Sequence, residues 1–204
     1  MLLTKAFLIG RTEVHQNLYR AVTGENPSSF PSSTKPVESI TWLEACLFCN
    51  QYSLKMGLTP VYDIQLGKPM TVIWNKSSYG YRLPTEAEWE CAAKHARQEE
   101  SSFRGWYDRT SQLETHPVGQ QSGLSDIAGN VWEMCWDYYG VYPTTKSIDP
   151  TGPAVGEYRV TRGGSWIDTE RIIRPSNRGF IREDSRGNSV GFRLVLDQPP
   201  KSSL

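Results

Sequence analysis

The chain has 204 residues, and 22 Lys and Arg residues balance 22 Asp and Glu residues, so the formal net charge is zero. A neutral chain of this length favours one domain, 1–204, with neither a nucleic-acid partner nor direct membrane insertion. The N-terminal apolar run is interrupted by Lys5, so no secretory signal is visible, and no stretch reaches membrane-spanning length.

Three helices are predicted from their end signals, at about residues 13–22, 41–56 and 85–97. The second and third begin with capping boxes, TWLE at 41–44 and TEAE at 85–88, in which a threonine and a glutamate satisfy free backbone amides. The buried face predicted for the second helix comprises Leu43, Cys46, Leu47, Cys49, Asn50 and Leu54.

Strands are predicted between and after these helices. Residues 61–64 and 71–74 form a candidate hairpin, and residues 157–165 and 189–196 are late strands that we expect to lie side by side. The stretch 101–156 is rich in Gly, Pro, Asp and Ser and is predicted to form ordered loops pinned by tryptophans. Helices first and strands later, without strict alternation, indicate an α+β fold.

The cysteines and histidines give no metal signature. Cys46 and Cys49 share one helical face, whereas Cys91 and Cys135 stand alone, so the second close pair required by a structural zinc site is missing. We expect buried free thiols, with a disulfide as the less favoured alternative. The histidines are isolated from one another: His15, His95 and His116.

Four phrases follow one another along the chain. They are IGRTEV (9–14) with GENPS (24–28), YRLPTEAEWE (81–90), DIAGNVWE (126–133), and RGGSW (162–166) with GFR (191–193). Together they resemble the formylglycine-generating enzyme, or sulfatase-modifying factor, superfamily. The resemblance covers nearly the whole chain and implies a variant of the C-type lectin fold, with a small twisted sheet, flanking helices and many loops.

The resemblance also implies where an active site would lie. In the enzymes of this superfamily, two cysteines just after Gly-Gly-Ser perform copper-dependent oxidation of a substrate cysteine. The matching positions here hold Asp168 and Ile173, and no cysteine follows Cys135. A carboxylate and an aliphatic group cannot replace thiolates as nucleophile and soft metal ligand. The chain is therefore predicted to be no such oxidase and to require no cofactor, with Ser165 in a structural role.

Another branch of the superfamily fits better. The chain resembles the variable proteins of diversity-generating retroelements, which vary exposed side chains between Gly-Gly-Ser-Trp and Gly-Phe-Arg-Leu. Their mutagenesis at template adenines turns Asn codons into many codons, but not into those of Lys, Gln, Met, Glu or Trp. Residues 167–189, called the C-terminal segment below, contain no Lys, Gln, Met or Trp, although they include Glu170 and Glu183. The composition agrees with this resemblance.

The resemblance places a variable ligand-binding region within residues 159–196. Arg174, Arg178 and Arg186 are expected to be framework residues, paired with carboxylates or loop carbonyls. The candidate ligand contacts are Ile167, Asp168, Thr169, Asn177, Gly179, Phe180, Ile181, Arg182, Ser185, Gly187, Asn188 and Ser189.

Two other interpretations of this segment stay open. One is an ordinary loop with an arginine face, because arginines recur at every fourth residue from Arg174 to Arg186, as they would along a helix. Pro175 and two glycines disfavour a continuous helix there. The neighbours Phe180 and Ile181 fit a binding hot spot and a core position equally well.

One structural metal site follows from the resemblance. In the superfamily's enzymes, the side chains aligned with Asp126 and Glu133 and the backbone carbonyls aligned with Gly129 and Val131 bind calcium. Carboxylate and carbonyl oxygens suit this hard cation. Alternatively, Glu133 satisfies buried loop amides and Asp126 a turn.

Two hypotheses for function follow. The favoured one is a non-catalytic protein of receptor or adhesin type, whose α+β lectin-like scaffold displays a variable surface to a protein or cell-surface ligand outside the cell. The alternative is an enzyme of the superfamily that acts by cysteine-independent chemistry. The sugar-binding triplets Glu-Pro-Asn and Gln-Pro-Asp are absent from the sequence, which favours a protein ligand over a carbohydrate.

Overall fold

The computed structural model describes residues 1–67, 70–99, 105–121 and 123–198, apart from the side chains of residues 97–99. These residues form three helices and nine strands. The helices are α1 (Gln16–Thr23), α2 (Trp42–Lys55) and α3 (Glu86–Glu99). The strands are β1 (Phe7–Ile9), β2 (Tyr62–Gln65), β3 (Thr71–Trp74), β4 (Tyr81–Arg82), β5 (Trp132–Tyr138), β6 (Tyr158–Arg162), β7 (Arg178–Arg182), β8 (Val190–Gly191) and β9 (Val195–Asp197).

Both predicted capping boxes are present. Thr41 Oγ1 accepts a hydrogen bond from the Glu44 amide at 3.2 Å, and Glu44 Oε2 accepts one from the Thr41 amide at 2.8 Å. Thr85 and Glu88 exchange the same two bonds, at 3.2 and 2.8 Å. The sequence therefore located the starts of α2 and α3 correctly, because a capping box is a local hydrogen-bond pattern.

The first helix begins later than the predicted residue 13. The residue that caps α1 is His15, whose Nδ1 accepts a hydrogen bond from the Leu18 amide at 3.2 Å. The helix ends at Gly24, where φ is +85°. Glu13, predicted to be helical, precedes the helix and is 1% exposed. Its carboxylate therefore lies in the interior of the protein.

The buried face of α2 differs from the prediction. Cys46 and Cys49 are buried as expected, but Leu54 is 65% exposed. Trp42 is fully buried and donates its Nε1–H to the Cys135 carbonyl of β5 at 2.9 Å. The helix is apolar on most of its surface, so its sequence has no sharp amphipathic pattern, and packing against β5 decides which face is buried.

The C-terminal half is organised by a four-stranded sheet of order β7-β6-β5-β8. In it β6 is antiparallel to β5 and β7, and β8 is parallel to β5. The prediction that the two late strands are neighbours was wrong, because residues 189–196 divide into β8 and β9, and β9 pairs with β1 and β4 in another sheet. The predicted hairpin is confirmed as β2 and β3.

Four strands were not predicted from the sequence, the short strands β1 and β4 and the longer strands β5 and β7. β5 lies in the stretch predicted to be loops, and three consecutive residues in it, Glu133, Met134 and Cys135, are fully buried. A strand buried on both faces lacks the alternation that marks a half-exposed strand. β7 lies in the C-terminal segment, which was predicted to be neither helix nor strand. Both β5 and β7 depend on pairing with β6, which is distant in sequence.

The four-stranded sheet separates two hydrophobic clusters. Met134 of β5 belongs to the larger cluster, which includes Trp42 and Phe48 of α2. Its neighbour Cys135 belongs to the smaller cluster, which includes Trp89 of α3. Successive residues of a strand point to opposite faces, so the sheet forms the common wall of both clusters. In the described residues we find no helix of the length and apolarity needed to cross a membrane.

All four cysteines are free thiols. Cys46, Cys49 and Cys135 are buried, as predicted, and burial raises the pKa of each thiol. Cys91 is exposed on α3, so the prediction of a buried thiol was wrong there. The sequence of α3 does not show whether Cys91 lies on the buried side, because apolar and charged residues alternate along the helix.

Candidate ligand-binding site

The C-terminal segment is held between two buried flanks. Residues 163–166 are buried at its start, and residues 190–194 are buried at its end. None of the twelve candidate contacts between them is buried. Ile167 is 56% exposed and Phe180 is 58% exposed. The flanks therefore form a frame, and the segment between them reaches the surface.

The first flank turns through two glycines. Gly163 and Gly164 have φ values of +97° and +76°, which L-residues with a side chain rarely adopt. A Cβ atom at Gly164 would also lie 2.6 Å from Cγ2 of Ile173. This turn buries Ser165 completely, and the Ser165 hydroxyl donates to Asp168 Oδ2 at 2.6 Å. Ser165 thus has the structural role predicted for it.

Asp168 belongs to the frame by its contacts, although it is one of the candidate ligand contacts. Its Oδ2 also accepts hydrogen bonds from the Ser165 amide at 3.0 Å and from Trp132 Nε1 at 2.8 Å. Its backbone carbonyl accepts from the Asp108 amide at 2.9 Å. A half-buried carboxylate with three donors on one oxygen fixes the turn and the indole. These bonds to Oδ2 hold the side chain against the turn and the Trp132 indole.

Ile173, at the other position where the related oxidases carry a cysteine, is fully buried. It belongs to the smaller hydrophobic cluster with Trp89 and Ile127. Copper in such a site requires thiolate ligands, and the two positions here supply a hydrogen-bonded carboxylate and an aliphatic side chain. The residues present therefore do not fit copper.

Two of the predicted framework arginines hold the segment through ion pairs. Arg178 makes a bidentate pair with Glu86 of α3, at 2.6 and 2.8 Å, and donates to the Gly140 carbonyl at 2.8 Å. Arg186 pairs with Glu44 at 2.5 Å. Arg174, the third, donates to a carbonyl within the segment. These contacts are of the kinds that the sequence analysis assigned to them.

One face of β7, here called the Trp132 face, brings several candidate residues to the Trp132 ring. A Cβ atom at Gly179 would lie 2.9 Å from this ring, which shows how closely the indole packs on the strand. Ile181, on the same face, packs against the larger hydrophobic cluster. The Ser189 carbonyl accepts from the Trp132 amide at 2.8 Å. With the Asp168 bond to its indole, Trp132 therefore joins three parts of the segment.

The opposite face of β7, here called the Phe180 face, is aromatic. The Phe180 ring lies 5.1 Å from the Tyr139 ring and 5.0 Å from the Tyr158 ring, between centroids. Arg182 follows on this face and pairs with Glu157 at 2.6 Å, where both side chains are more than half exposed. Phe180 is thus an exposed aromatic residue and Ile181 a packed one, which resolves the two interpretations of this dipeptide.

The remaining candidates lie in turns and near the second flank. The Asn188 carbonyl accepts from Trp166 Nε1 at 3.1 Å, and the Gly187 carbonyl accepts from the Ser39 amide at 3.0 Å. The others, all exposed or half-buried and outside β7, are Ile167, Thr169, Asn177 and Ser185. The candidates therefore lie on both faces of β7 and in the loops on either side of this strand.

The calcium ligands predicted from the sequence are in part already engaged. Glu133 is 0% exposed, and both its oxygens accept from Arg193, at 2.6 Å each, while Oε2 also accepts from Trp89 Nε1. Glu133 therefore does not fit a calcium ligand in this arrangement. Among the described residues, no group of three or more His, Cys, Asp or Glu is placed to hold a metal ion.

A cluster of three acids surrounds this arginine. Glu13 accepts from Asn130 Nδ2 at 2.7 Å, and Asp126 Oδ2 accepts from the Gly119 amide at 2.6 Å, while Asp126 Oδ1 is buried without a partner. Burial, with the nearby acidic charges, raises the pKa of Glu13 well above its ordinary value, and burial raises the pKa of Asp126. The burial of these crowded carboxyls thus disfavours their charged forms. Calcium binding stays a prediction.

Over residues 3–198 the chain matches the family described as sulfatase-modifying factor enzyme 1-like domain. The chain belongs to this family. The resemblance predicted from four sequence phrases is therefore confirmed, and so is the α+β fold, a formylglycine-generating-enzyme-like variant of the C-type lectin fold.

Proteins with different names are similar to the chain. The solved structure of Treponema denticola variable protein 1 is 35% identical, with a TM-score of 0.86 over 96% of this chain and 86% of that one. Chaperone protein LppX of Paenibacillus barcinonensis is 31% identical over 93% of this chain and 79% of its own length. The formylglycine-generating enzyme of Streptomyces coelicolor is 33% identical over 62% of this chain, which spans 51% of that enzyme.

The structure adds residues that the sequence analysis did not assign to the site. Trp132 was predicted to pin a loop, whereas it lies at the start of β5 and contacts the C-terminal segment. Tyr139 and Tyr158 complete the Phe180 face. The position of Trp132 within a family phrase was a usable signal, but nothing in the sequence places the two tyrosines beside Phe180.

Proposed function

We propose that this protein is a non-catalytic binding protein of receptor or adhesin type, which displays its C-terminal segment as a variable surface to a protein ligand. The observation that carries the proposal is the contrast in burial. Residues 163–166 and 190–194 are buried, whereas all twelve candidate contacts between them are exposed or half-buried. If the residues of a surface vary, the frame that supports them must have a stability that does not depend on their identity.

Exposed positions can vary at little cost to the fold. Substitutions of surface side chains outside special features usually change stability by less than about 0.5 kcal/mol. Ile167, Thr169, Phe180, Arg182 and Asn188 are all exposed. The contacts that hold the frame come instead from glycines, buried arginines and backbone hydrogen bonds. Variation at the exposed positions therefore leaves those contacts in place.

The composition of the Phe180 face favours a protein ligand. It combines Phe180, Tyr139 and Tyr158 with two arginines, Arg178 and Arg182. Aromatic residues and arginine are enriched at the energetic centres of protein interfaces. Aromatic rings bury a large area with little loss of side-chain entropy, and the planar guanidinium donates several hydrogen bonds. The Trp132 face offers a second surface with half-buried side chains.

The positions that would carry the oxidase chemistry support a non-catalytic role. The Asp168 carboxylate is held by Ser165 and Trp132, and Ile173 is packed in a hydrophobic cluster. Neither side chain supplies the thiolate that this oxidation requires as nucleophile and soft metal ligand. Ser165, although bonded to Asp168, is fully buried and therefore closed to a substrate.

The names of two similar proteins agree with the proposal. One is called a variable protein, and the other, which matches 93% of this chain, is called a chaperone, a class of protein that binds other proteins. We further propose that variation arises through a diversity-generating retroelement and that the protein acts at the cell surface or outside the cell. A nearby imperfect repeat of the coding region, differing mainly at adenines, beside a reverse transcriptase gene would support this origin.

Two libraries test the display function. In the first, Ile167, Thr169, Phe180, Arg182 and Asn188 are randomised together. In the control, five buried frame residues are randomised: Gly163, Gly164, Ser165, Gly191 and Phe192. Both are displayed on yeast, sorted for folding with a conformation-specific antibody, and then sorted for binding to purified hen egg lysozyme. We expect most members of the first library and few of the control to fold, and binders to come from the first.

Two outcomes would contradict the proposal. One is that the exposed library folds as poorly as the control library. The other is formylglycine formation when the protein is incubated with copper, oxygen and a sulfatase-type cysteine peptide, read by mass spectrometry. That second result would support the alternative function, an enzyme with cysteine-independent chemistry, over a binding protein.

A further inference from the structure

A cavity of about 640 Å³ opens on the face of the four-stranded sheet that carries α3. This volume lies in the range of sites that bind small molecules. Ser165, Trp132 and Asp168 are not among its lining residues, whereas Arg178, one of the framework arginines, is. The cavity therefore adjoins β7 but lies outside the turn that holds Ser165. Its apolar wall is formed by Val141, Tyr142, Pro143, Pro150 and Pro153.

Three carboxyl side chains line the cavity, and two of them are neutralised. Glu86 pairs with Arg178 and with Arg162, at 2.6 and 2.8 Å. Glu90 pairs with Arg162 at 2.6 Å and with Lys94 at 2.5 Å. Of these cations, only Arg178 itself lines the cavity, and its guanidinium is turned to Glu86. The charges at this end of α3 are therefore already matched.

The third carboxyl, Asp137, has no such partner. It lines the cavity and is 3% exposed. Its Oδ2 accepts one hydrogen bond, from the Glu86 amide at 2.9 Å, and no cationic side chain of the described residues pairs with it. Burial, with the charges of Glu86 and Glu88, raises the pKa of Asp137 to about 7. A buried acid that lacks a counter-ion is stabilised by any cation that reaches it.

We propose that this cavity binds a small organic cation, an amine or guanidine on a hydrocarbon body, with Asp137 as its counter-ion. The charged nitrogen donates to Asp137 at the inner end of the cavity. The hydrocarbon body packs against Val141, Tyr142 and Pro153. The Tyr142 ring adds a cation–π surface, which it already offers to Arg178 at 4.1 Å.

The probe for this test is 2-phenylethylamine, with 2-phenylethanol and 3-phenylpropanoate as its neutral and anionic counterparts. Binding is measured by isothermal titration calorimetry at pH 8, where Asp137 is ionised. We expect the amine to bind at least tenfold more tightly than either counterpart. In Asp137→Asn we expect this preference to be lost, while the new amide still accepts the Glu86 hydrogen bond and keeps the fold.

A matched pair of surface variants locates the binding site. Val141 lines the cavity and is 95% exposed, whereas Val155 is 82% exposed and is not a lining residue. Val141→Trp should block the cavity and lower amine affinity at least tenfold, and Val155→Trp should leave it unchanged. The proposal is overturned if no probe binds, if amine and alcohol bind equally, or if the two tryptophan variants behave alike. None of these results bears on the library test of the display function, because none of the five residues varied there lines the cavity.

Discussion

Single charged side chains hold the frame of the C-terminal segment. Arg162 and Arg193 are both 0% exposed, and each pairs with a glutamate on a different element. Removing one partner of a buried pair commonly costs about 3–5 kcal/mol, because the other charge stays buried without compensation. Arg162 and Arg193, the arginines of the phrases RGGSW and GFR, are thus structural residues of the frame and not ligand contacts.

The role of Asp168 can be tested directly. Asp168→Ala removes the acceptor used by the Ser165 hydroxyl and amide and by Trp132 Nε1. Since the site is half-buried and water can replace part of the loss, we expect about 2 kcal/mol of destabilisation in urea unfolding. The control Asp184→Ala, at a side chain that is 78% exposed, should cost less than about 0.5 kcal/mol. Equal effects would place Asp168 among the displayed residues.

Gly179 should not tolerate variation, although it is a candidate contact. A Cβ atom there would lie 2.5 Å from Thr161 Oγ1 and 2.9 Å from the Trp132 ring. We expect Gly179→Val to lose about 1–3 kcal/mol by overpacking. Gly187→Ala is the control, because its Cβ would meet Val190 at an ordinary 3.4 Å. Thermal unfolding of both variants decides whether Gly179 belongs to the frame.

At the scale of elements, β5 connects the frame to α3. Its Trp132 contacts the C-terminal segment, its Glu133 pairs with Arg193, and its Asp137 accepts from the first amide of α3. One strand thus carries three of the buried polar contacts around the two candidate sites. Side chains that alternate between two buried faces make this possible.

The Asp137 carboxyl gives stability a measurable dependence on pH. Its pKa is raised to about 7 in the folded state, so the carboxyl favours folding while protonated, and this contribution is lost as pH rises from about 4 through 7. In Asp137→Asn the loss is absent. We expect the free energy of unfolding of the variant, minus that of the native protein, to increase over this range in urea titrations. A difference independent of pH would contradict the raised pKa.

At the scale of the whole molecule, two hydrophobic clusters and a shared sheet fix the positions of all the loops. The larger cluster joins α1 and α2 to one face of the four-stranded sheet, and the smaller cluster joins α3 to the other face. The loops of residues 105–121 and 123–130 contribute Asp126 to a buried group of three acids and one arginine. Their stability therefore depends on internal charge pairing.

Calcium should not stabilise this protein, because Glu133 is fully engaged with Arg193 and Trp89. A calcium concentration one hundred times the dissociation constant would add about 2.7 kcal/mol. In a chain of this size each kcal/mol raises the melting temperature by about 2–4 °C. We expect equal melting temperatures in millimolar calcium and in a chelator. A clear rise with calcium, absent in Asp126→Asn, would show that the metal competes with the arginine.

The sequence by itself determined what short-range chemistry fixes. Capping boxes located α2 and α3, the hairpin was recognised from its two short runs, and Asp168 and Ile173 excluded thiol chemistry in the C-terminal segment. Each of these depends on neighbouring residues or on the identity of one side chain. The family phrases located the frame for the same reason, since they are continuous in sequence.

Only the tertiary structure decided which residues meet. β5 and β7 could not be predicted because their pairing with β6 depends on residues far apart in the chain, and β5 lacks an alternating pattern. The separation of Phe180 from Ile181 follows from the two faces of β7. Only the folded structure shows that Asp168 accepts a hydrogen bond from Trp132 and that Asp137 lines a cavity. Burial and pairing are properties of neighbours in space, and the sequence orders residues only along the chain.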